Sequence, residues 1–218
     1  MKPDQIHEAI RILRKESRHW RSPTVSQVKT NERDPFRILL STVLSLRTKD
    51  DTTGPAAERL FALASSPTEM LKVGRASIER AIYPVGFYRV KAATILNISG
   101  ILVERYGSKV PADLEELLKL KGVGRKTANL VITMGFGKPG ICVDTHVHRI
   151  CNRWGYVSTK TPLQTEIDLR RRLPRAYWIP FNYLLVSFGQ NICRPVSPFC
   201  SRCPLFHLCD RNSVISWR

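Results

Sequence analysis

Residues 113–128 read DLEELLKLKGVGRKTA, two short helical patterns joined by a turn that contains two glycines. Asp113 marks the start of the first helix, and the second helix begins near Arg125. Gly122 and Gly124 permit positive φ values and a close approach of the backbone to another molecule. Amides at the start of the second helix favour an anion such as a phosphate. An ordinary connection between two helices is the alternative explanation of this turn.

Helical periodicity continues through most of the remaining sequence. A capping residue followed by proline marks three further helix starts, at Asp34-Pro35, Ser66-Pro67 and Thr161-Pro162. Residues 90–106 carry an apolar helical stripe that ends at Gly107, and residues 178–190 indicate a largely buried helix. Alternating strand patterns are essentially missing, so the sequence predicts an all-α fold.

The chain of 218 residues carries 35 Lys and Arg against 18 Asp and Glu, a net charge of +17. The excess positive side chains repel one another unless a polyanion offsets their charge. This favours nucleic acid or an anionic membrane surface as the partner. No apolar stretch approaches the roughly 18 residues of a membrane span. The amino terminus lacks the apolar core of a signal peptide, so we expect an intracellular protein.

Four of the six cysteines crowd into the last 26 positions with the spacing C-x6-C-x2-C-x5-C, at Cys193, Cys200, Cys203 and Cys209. Four thiolates from one short segment suit a tetrahedral metal ion or an iron–sulfur cluster. The spacing favours the cluster over zinc, which usually presents two close pairs. A disulfide scaffold is disfavoured by the low cysteine density. Cys142 and Cys151 have apolar neighbours in the sequence, which indicates core packing.

The segment VDTHVHR at 143–149 places Asp144 after an apolar approach. A carboxylate in such surroundings is costly to bury unless it is paired or used in chemistry. Capping of a helix that starts at Thr145 is the structural alternative, and both roles are compatible.

Three segments in this order, LKGVGRKTA at 120–128, VDTHVHR at 143–149 and the cysteine-rich end, resemble endonuclease III. That family belongs to the helix-hairpin-helix superfamily of base-excision DNA glycosylases. The resemblance extends upstream to DPFRILLSTVLSLRTKD at 34–50 and GFYRVKA at 86–92, and so covers nearly the whole chain.

The resemblance implies two lobes with a DNA cleft between them. A six-helix barrel lobe would span residues 23–138 and contain the hairpin at about 112–134. Residues 1–22 and 139–218 would form the second lobe, with a cluster loop at 193–209. The family also implies one [4Fe-4S] cluster held by the four terminal cysteines, and we expect a monomer.

The resemblance further implies a bifunctional enzyme that acts on damaged double-stranded DNA. The family's lysine nucleophile falls on Lys126, and its catalytic aspartate falls on Asp144. A lysine that forms a Schiff base with the sugar explains strand cleavage at abasic sites by β-elimination. Lys126 favours this branch over monofunctional relatives, and oxidised or ring-saturated pyrimidines are the expected substrates.

Expected DNA contacts lie in the hairpin, at two gap-filling positions, on the segment after Asp144 and in the cysteine loop. They are Lys121, Gly122, Val123, Gly124, Arg125, Arg47, Phe87, His146, Arg149, Arg194 and Arg202. Three of them depart from the family pattern. Lys121 replaces a proline, Arg47 a glutamine and Phe87 an aliphatic wedge, so the opposite-base preference is open.

Two alternatives from other classes remain. A non-catalytic DNA-binding module would use the hairpin and the charge alone, but the presence of both Lys126 and Asp144 speaks against it. A redox-responsive iron–sulfur protein would contact DNA only secondarily.

Overall fold

The computed structural model describes residues 1–20 and 34–218, and within these ranges it is all-helical, without strands. The predicted all-α fold is therefore confirmed. The helices, in chain order, are α1 (Ile6–Glu16), α2 (Pro35–Ser45), α3 (Asp50–Leu63), α4 (Pro67–Lys72), α5 (Arg75–Ile82), α6 (Tyr88–Tyr106), α7 (Leu114–Leu118), α8 (Arg125–Leu130), α9 (Thr145–Arg153), α10 (Pro162–Arg172) and α11 (Trp178–Asn191). No helix in these ranges is long and apolar enough to cross a membrane.

The predicted helix starts are confirmed by their caps. Asp34 accepts a hydrogen bond from the Phe36 amide at 2.9 Å, and proline occupies the first helical position of α2, α4 and α10. Thr161 and Gln164 form a reciprocal capping box at α10. At α4, the side chain of Glu69 bonds the Ser65 amide, one residue before the cap. Each cap satisfies an amide that the first turn leaves without an intrahelical partner.

The chain divides into two compact units, Met1–Pro23 with Ile141–Arg218 and Thr24–Gly140. The expected lobe boundary at residues 22–23 lies outside the described residues. The second unit contains α2 to α8 around one apolar core, to which Leu39, Leu60 and Ile95 contribute completely buried side chains. The long helix α6 ends at Gly107 with a φ of +56°, the left-handed C-cap that the sequence predicts.

The first unit contains α1, α9, α10, α11 and the cysteine-rich segment around a separate core. Its largest buried aromatic side chains are those of Trp154, Tyr156, Phe181 and Phe188. Cys142 and Cys151 are buried, Cys151 inside this core, as their apolar sequence context predicts. Each unit thus holds its helices on a core of its own.

Candidate nucleic-acid interface and cysteine cavity

The turn between α7 and α8 requires glycine at its first glycine position. Gly122 has a φ of +91°, and a Cβ there would lie 2.6 Å from Thr94 Cγ2 on α6. Gly124, by contrast, has an ordinary extended φ of −94° and caps α8, with nothing within 4 Å of where a Cβ would stand. Val123 between them is buried in the core and anchors the turn. The hairpin therefore exposes backbone at both glycines while one side chain holds it in place.

Lys126 lies in the first turn of α8 and is half-buried. Residues 127–130, which follow it, are buried, and Ala128 belongs to the core of the same unit. A Cβ at Gly135, just after α8, would lie 3.1 Å from Pro35 Cα, so the chain there packs directly on the start of α2. The buried face of α8 thus fixes the helix, and the half-buried Lys126 lies at the edge of that face.

Arg47 and Phe87, the two predicted gap-filling residues, lie together in the structure. The Arg47 guanidinium carbon lies 5.9 Å from the centre of the Phe87 ring, within cation–π range. Both residues are exposed and both have left-handed backbones, with φ of 52° and 58°. A non-glycine residue in this conformation costs about 1–2 kcal/mol, so contacts around the two loops must hold it.

Asp144 caps helix α9, as the structural alternative predicts. Its Oδ1 atom accepts hydrogen bonds from the amides of His146 at 2.9 Å and Val147 at 3.0 Å. The residue is half-buried, and the apolar residues 141–143 before it are buried. One carboxylate oxygen thus serves both cap bonds, and the fold fixes the carboxylate at the start of a helix.

His146 and Arg149 lie on the first turns of α9, and both are half-buried. Arg149 donates to the Cys193 carbonyl at 2.8 Å and to the Thr145 carbonyl at 3.4 Å, and it contacts the His146 ring at 3.0 Å. A Cβ at Gly189 would lie 2.2 Å from His146 Nδ1, so this glycine makes room for the ring. Burial lowers the pKa of Arg149. The Arg149 contacts join α9 to the start of the cysteine segment.

The four predicted cysteine ligands line a single cavity in the first unit. Aromatic and aliphatic side chains complete its wall, among them Trp154, Phe188, Ile192, Phe199, Phe206 and Val214. The fold thereby places the side chains of Cys193 and Cys209, 16 residues apart in sequence, around one cavity.

Two arginines on the cavity wall contact the cysteines, and sequence reasoning missed both. Arg153 is 8% exposed and donates to Cys193 Sγ at 3.4 Å and to the Arg194 and Pro195 carbonyls at 2.6 and 2.7 Å. The Arg211 amide donates to Cys209 Sγ at 3.4 Å. Positive charge and N–H donors at sulfur favour the thiolate form that metals bind.

The cavity disfavours free thiolates at three of the four cysteines. Burial, with the three other thiols, raises the pKa of Cys203 to about 12, and burial also raises the pKa of Cys200 and Cys209. Ionisation of Cys200, Cys203 and Cys209 together therefore requires a strongly positive centre between them. Within residues 1–20 and 34–218, no three His, Cys, Asp or Glu side chains converge as one metal ion needs. Four cysteine sulfurs around one cavity are a donor set that both an iron–sulfur cluster and a tetrahedral metal ion use.

Arg194 and Arg202, predicted phosphate contacts, are exposed and lie over the same Phe199 ring, at 5.0 and 4.0 Å. Arg218 lies 4.3 Å from that ring. Three guanidinium groups around one phenyl ring form a concentrated positive surface beside the cysteine loop. The terminal arginine has no motif of its own and could not be picked out from the sequence.

The predicted site residues thus fall into groups within each unit. The hairpin, Lys126 and the Arg47–Phe87 pair belong to one unit, and Asp144, His146, Arg149 and the cysteine loop belong to the other.

Comparison with known proteins identifies the family. Residues 40–175 match the family model described as HhH-GPD superfamily base excision DNA repair protein. Endonuclease III of Thermotoga maritima is 51% identical over 179 residues, which are 82% of this chain and 84% of that protein. Chloroplastic endonuclease III homolog 2 of Arabidopsis thaliana is 43% identical over 183 residues, 80% of this chain, which spans about half (47%) of that longer relative.

A solved structure agrees with the sequence matches. A non-covalent endonuclease III–DNA complex superposes with a TM-score of 0.85 at 33% identity and covers 97% of this chain and 96% of that one. The family model covers more than half of the chain, and the similarity to endonuclease III extends over most of it. The chain therefore belongs to the HhH-GPD superfamily of base excision DNA repair proteins, as a DNA glycosylase/AP lyase of the endonuclease III type.

Proposed function

We propose that this base excision repair glycosylase removes oxidised or ring-saturated pyrimidines from duplex DNA and cleaves the strand at the resulting abasic site through a Schiff base on Lys126. The observation that carries the proposal is a half-buried lysine in the first turn after the Gly122–Gly124 turn, in a chain of this family. The enzyme acts as a monomer on a nucleotide that it flips out of the duplex.

The amine of Lys126 attacks C1′ of the extruded nucleotide. A bond forms between nitrogen and C1′, the glycosidic bond breaks, and the base leaves with its electron pair and a proton. The nitrogen lone pair then forms the C=N bond as the C1′–O4′ bond breaks, and O4′ takes up a proton while the sugar ring opens. The resulting protonated Schiff base makes the C2′ proton acidic. Loss of that proton forms the C2′–C3′ double bond and expels the 3′ phosphate, which cleaves the strand. Water as nucleophile would stop at the abasic site.

Asp144 stabilises the positive charge that develops on the sugar and assists proton transfer to or from the lysine. Its place at the start of α9 supports this role, because the helix fixes the carboxylate before the substrate arrives. The hairpin, from Lys121 to Arg125, binds the phosphate backbone. Arg194, Arg202, His146 and Arg149 complete the proposed contacts to DNA.

We further propose that Cys193, Cys200, Cys203 and Cys209 hold one [4Fe-4S] cluster. The shared cavity and the donors of Arg153 and Arg211 at sulfur support it. When bound, the cluster supplies a rigid positive centre that organises the loop and takes no part in the base-removal chemistry.

Borohydride trapping tests the catalytic proposal. The wild-type protein is incubated with a duplex that carries a thymine glycol or an abasic site, and sodium borohydride reduces any Schiff base to a stable protein–DNA adduct. Lys126→Ala should form no adduct. Lys121→Gln, which removes a neighbouring hairpin lysine, should still form one. An adduct of normal yield with Lys126→Ala would overturn the assignment of the nucleophile.

Iron analysis tests the metal proposal. We expect about four irons per chain and a visible absorption band from thiolate–iron charge transfer. Cys200→Ser should lose iron, whereas Cys151→Ala, which changes a buried cysteine outside the cavity, should retain it. One zinc per chain without colour would refute the cluster.

A further inference from the structure

Lys91 is a buried cation in the unit that carries the hairpin. Its side chain lies in the first turns of α6 and is 6% exposed. Its ammonium donates to the Leu44 carbonyl at 2.7 Å, the Leu46 carbonyl at 2.6 Å and Thr48 Oγ1 at 3.0 Å. Three donors thus meet three acceptors, which matches the capacity of one ammonium group.

Two of these acceptors lie at the end of α2, where the chain turns into the loop that carries Arg47. The peptide between Leu46 and Thr48 is therefore held on both sides of Arg47 by one buried charge. This is the stretch in which Arg47 adopts its left-handed backbone, with φ of 52°.

The third acceptor, Thr48, connects this loop to the turn before α6. Its hydroxyl accepts a hydrogen bond from the Gly86 amide at 3.2 Å and donates to the Leu46 carbonyl at 3.3 Å. A Cβ at Gly86 would lie 2.9 Å from the Arg47 carbonyl oxygen, so the two backbones are in direct contact. Phe87, the next residue, has the second left-handed backbone.

We propose that Lys91 is a positioning residue which, through Thr48, locks the Arg47 loop and the Phe87 turn together as one preformed wedge for the gap left by an extruded nucleotide. The inference rests on the proposed function, because it assigns the wedge to a flipped-out nucleotide. A preformed wedge binds the distorted duplex without first ordering two loops, and this increases affinity and speeds productive extrusion. Arg47 and Phe87 contact the DNA, whereas Lys91 acts only through them.

Burial lowers the pKa of Lys91 to about 8. At neutral pH the side chain is therefore still an ammonium group with three donors.

Two substrates separate this inference from the proposed function. An abasic site in duplex DNA leaves a gap against an intact opposite strand, whereas the same site in single-stranded DNA has no opposite strand and needs no wedge. Adduct formation through Lys126 should occur on both. A wild-type protein that traps neither substrate would refute the proposed function, independently of the role of Lys91.

The decisive variant is Thr48→Val, which keeps the shape of the side chain and removes the hydroxyl that joins the two segments. We expect kcat/KM on the duplex lesion to fall about fivefold to tenfold, the effect of one lost positioning hydrogen bond. Trapping on single-stranded abasic DNA should change less than twofold. Thr48→Ser restores the hydroxyl and should restore duplex activity. Thr53→Val, which removes another buried hydroxyl of the same unit, is the matched control and should behave as wild type.

A spectroscopic readout reports the wedge directly. 2-Aminopurine placed opposite a stable abasic-site analogue changes its fluorescence when its stacking changes. Thr48→Val and Lys91→Met should lose most of the change that wild type produces on binding, and Thr48→Ser should keep it. Lys91→Met is interpreted only if its thermal unfolding shows a folded protein, and the Thr48 series stands without it. Wild-type behaviour of Thr48→Val in both assays, or an equal loss on single-stranded and duplex DNA, would overturn the proposal.

Discussion

At the scale of single residues, Asp144 combines an observed structural role as a helix cap with a proposed catalytic role. Local sequence predicts its cap, because the acceptor and the donated amides lie within three residues of one another. Arg153 shows the opposite case. Its partners lie about 40 residues away in sequence, at Cys193, Arg194 and Pro195. No local sequence pattern could therefore predict that this arginine lies on the cavity wall.

Asp144→Asn separates the cap from the charge. Asparagine caps helices as well as aspartate does, so the free energy of unfolding should stay within about 0.5 kcal/mol of wild type. Because we propose that the Asp144 carboxylate stabilises positive charge on the sugar, turnover should fall about hundredfold. Thermal unfolding and single-turnover glycosylase rates measure the two effects.

Asp144→Ala supplies the comparison. It should lose the charge and also about 1 kcal/mol of stability from the missing cap. Full turnover in the asparagine variant would show that Asp144 serves the fold alone.

At the scale of elements, the caps were predictable and the contacts between loops were not. Proline after a capping residue marks the starts of α2, α4 and α10 because every interaction involved is local. The left-handed backbones of Arg47 and Phe87 could not be predicted, because neither position is a glycine. Their conformation depends on Lys91, Thr48 and Gly86, whose contacts join segments that are far apart in sequence.

The hairpin offers a prediction with a built-in control. Gly122→Ala should destabilise the protein by about 1–3 kcal/mol, since alanine must adopt positive φ and contact Thr94. Gly124→Ala should change stability by less than about 1 kcal/mol, because its φ is ordinary and its surroundings are open. Urea denaturation compares the two.

Removing the methyl group that alanine would meet tests the cause. Gly122→Ala combined with Thr94→Ser should recover part of the lost stability and leave only the backbone strain. Equal stability of the Gly122→Ala and Gly124→Ala proteins would contradict this view of the turn.

At the scale of the whole molecule, the net charge of +17 indicates electrostatic attraction to a polyanionic partner. Composition predicts a polyanion and the sequence motifs predict the family. The division into two cores follows from packing between segments distant in sequence, so it cannot be derived from composition. The positive surface around Phe199 likewise depends on three arginines that only the fold brings together.

Duplex DNA should stabilise the folded protein in a salt-dependent way. At a DNA concentration about 100-fold above Kd, binding contributes about 2.7 kcal/mol, which should raise the thermal midpoint by about 5–10 °C. The shift should shrink as salt rises, because binding releases counterions from phosphates. Differential scanning calorimetry at several salt concentrations measures it, and a shift independent of salt would contradict the electrostatic account.

Peptide mapping of the borohydride-trapped wild-type complex shows whether Lys126 is the nucleophile. After nuclease and protease digestion, mass spectrometry locates the reduced sugar remnant on one peptide. We expect the remnant on the ε-nitrogen of Lys126. A remnant on another lysine or on the amino terminus, with an unmodified Lys126, would contradict it.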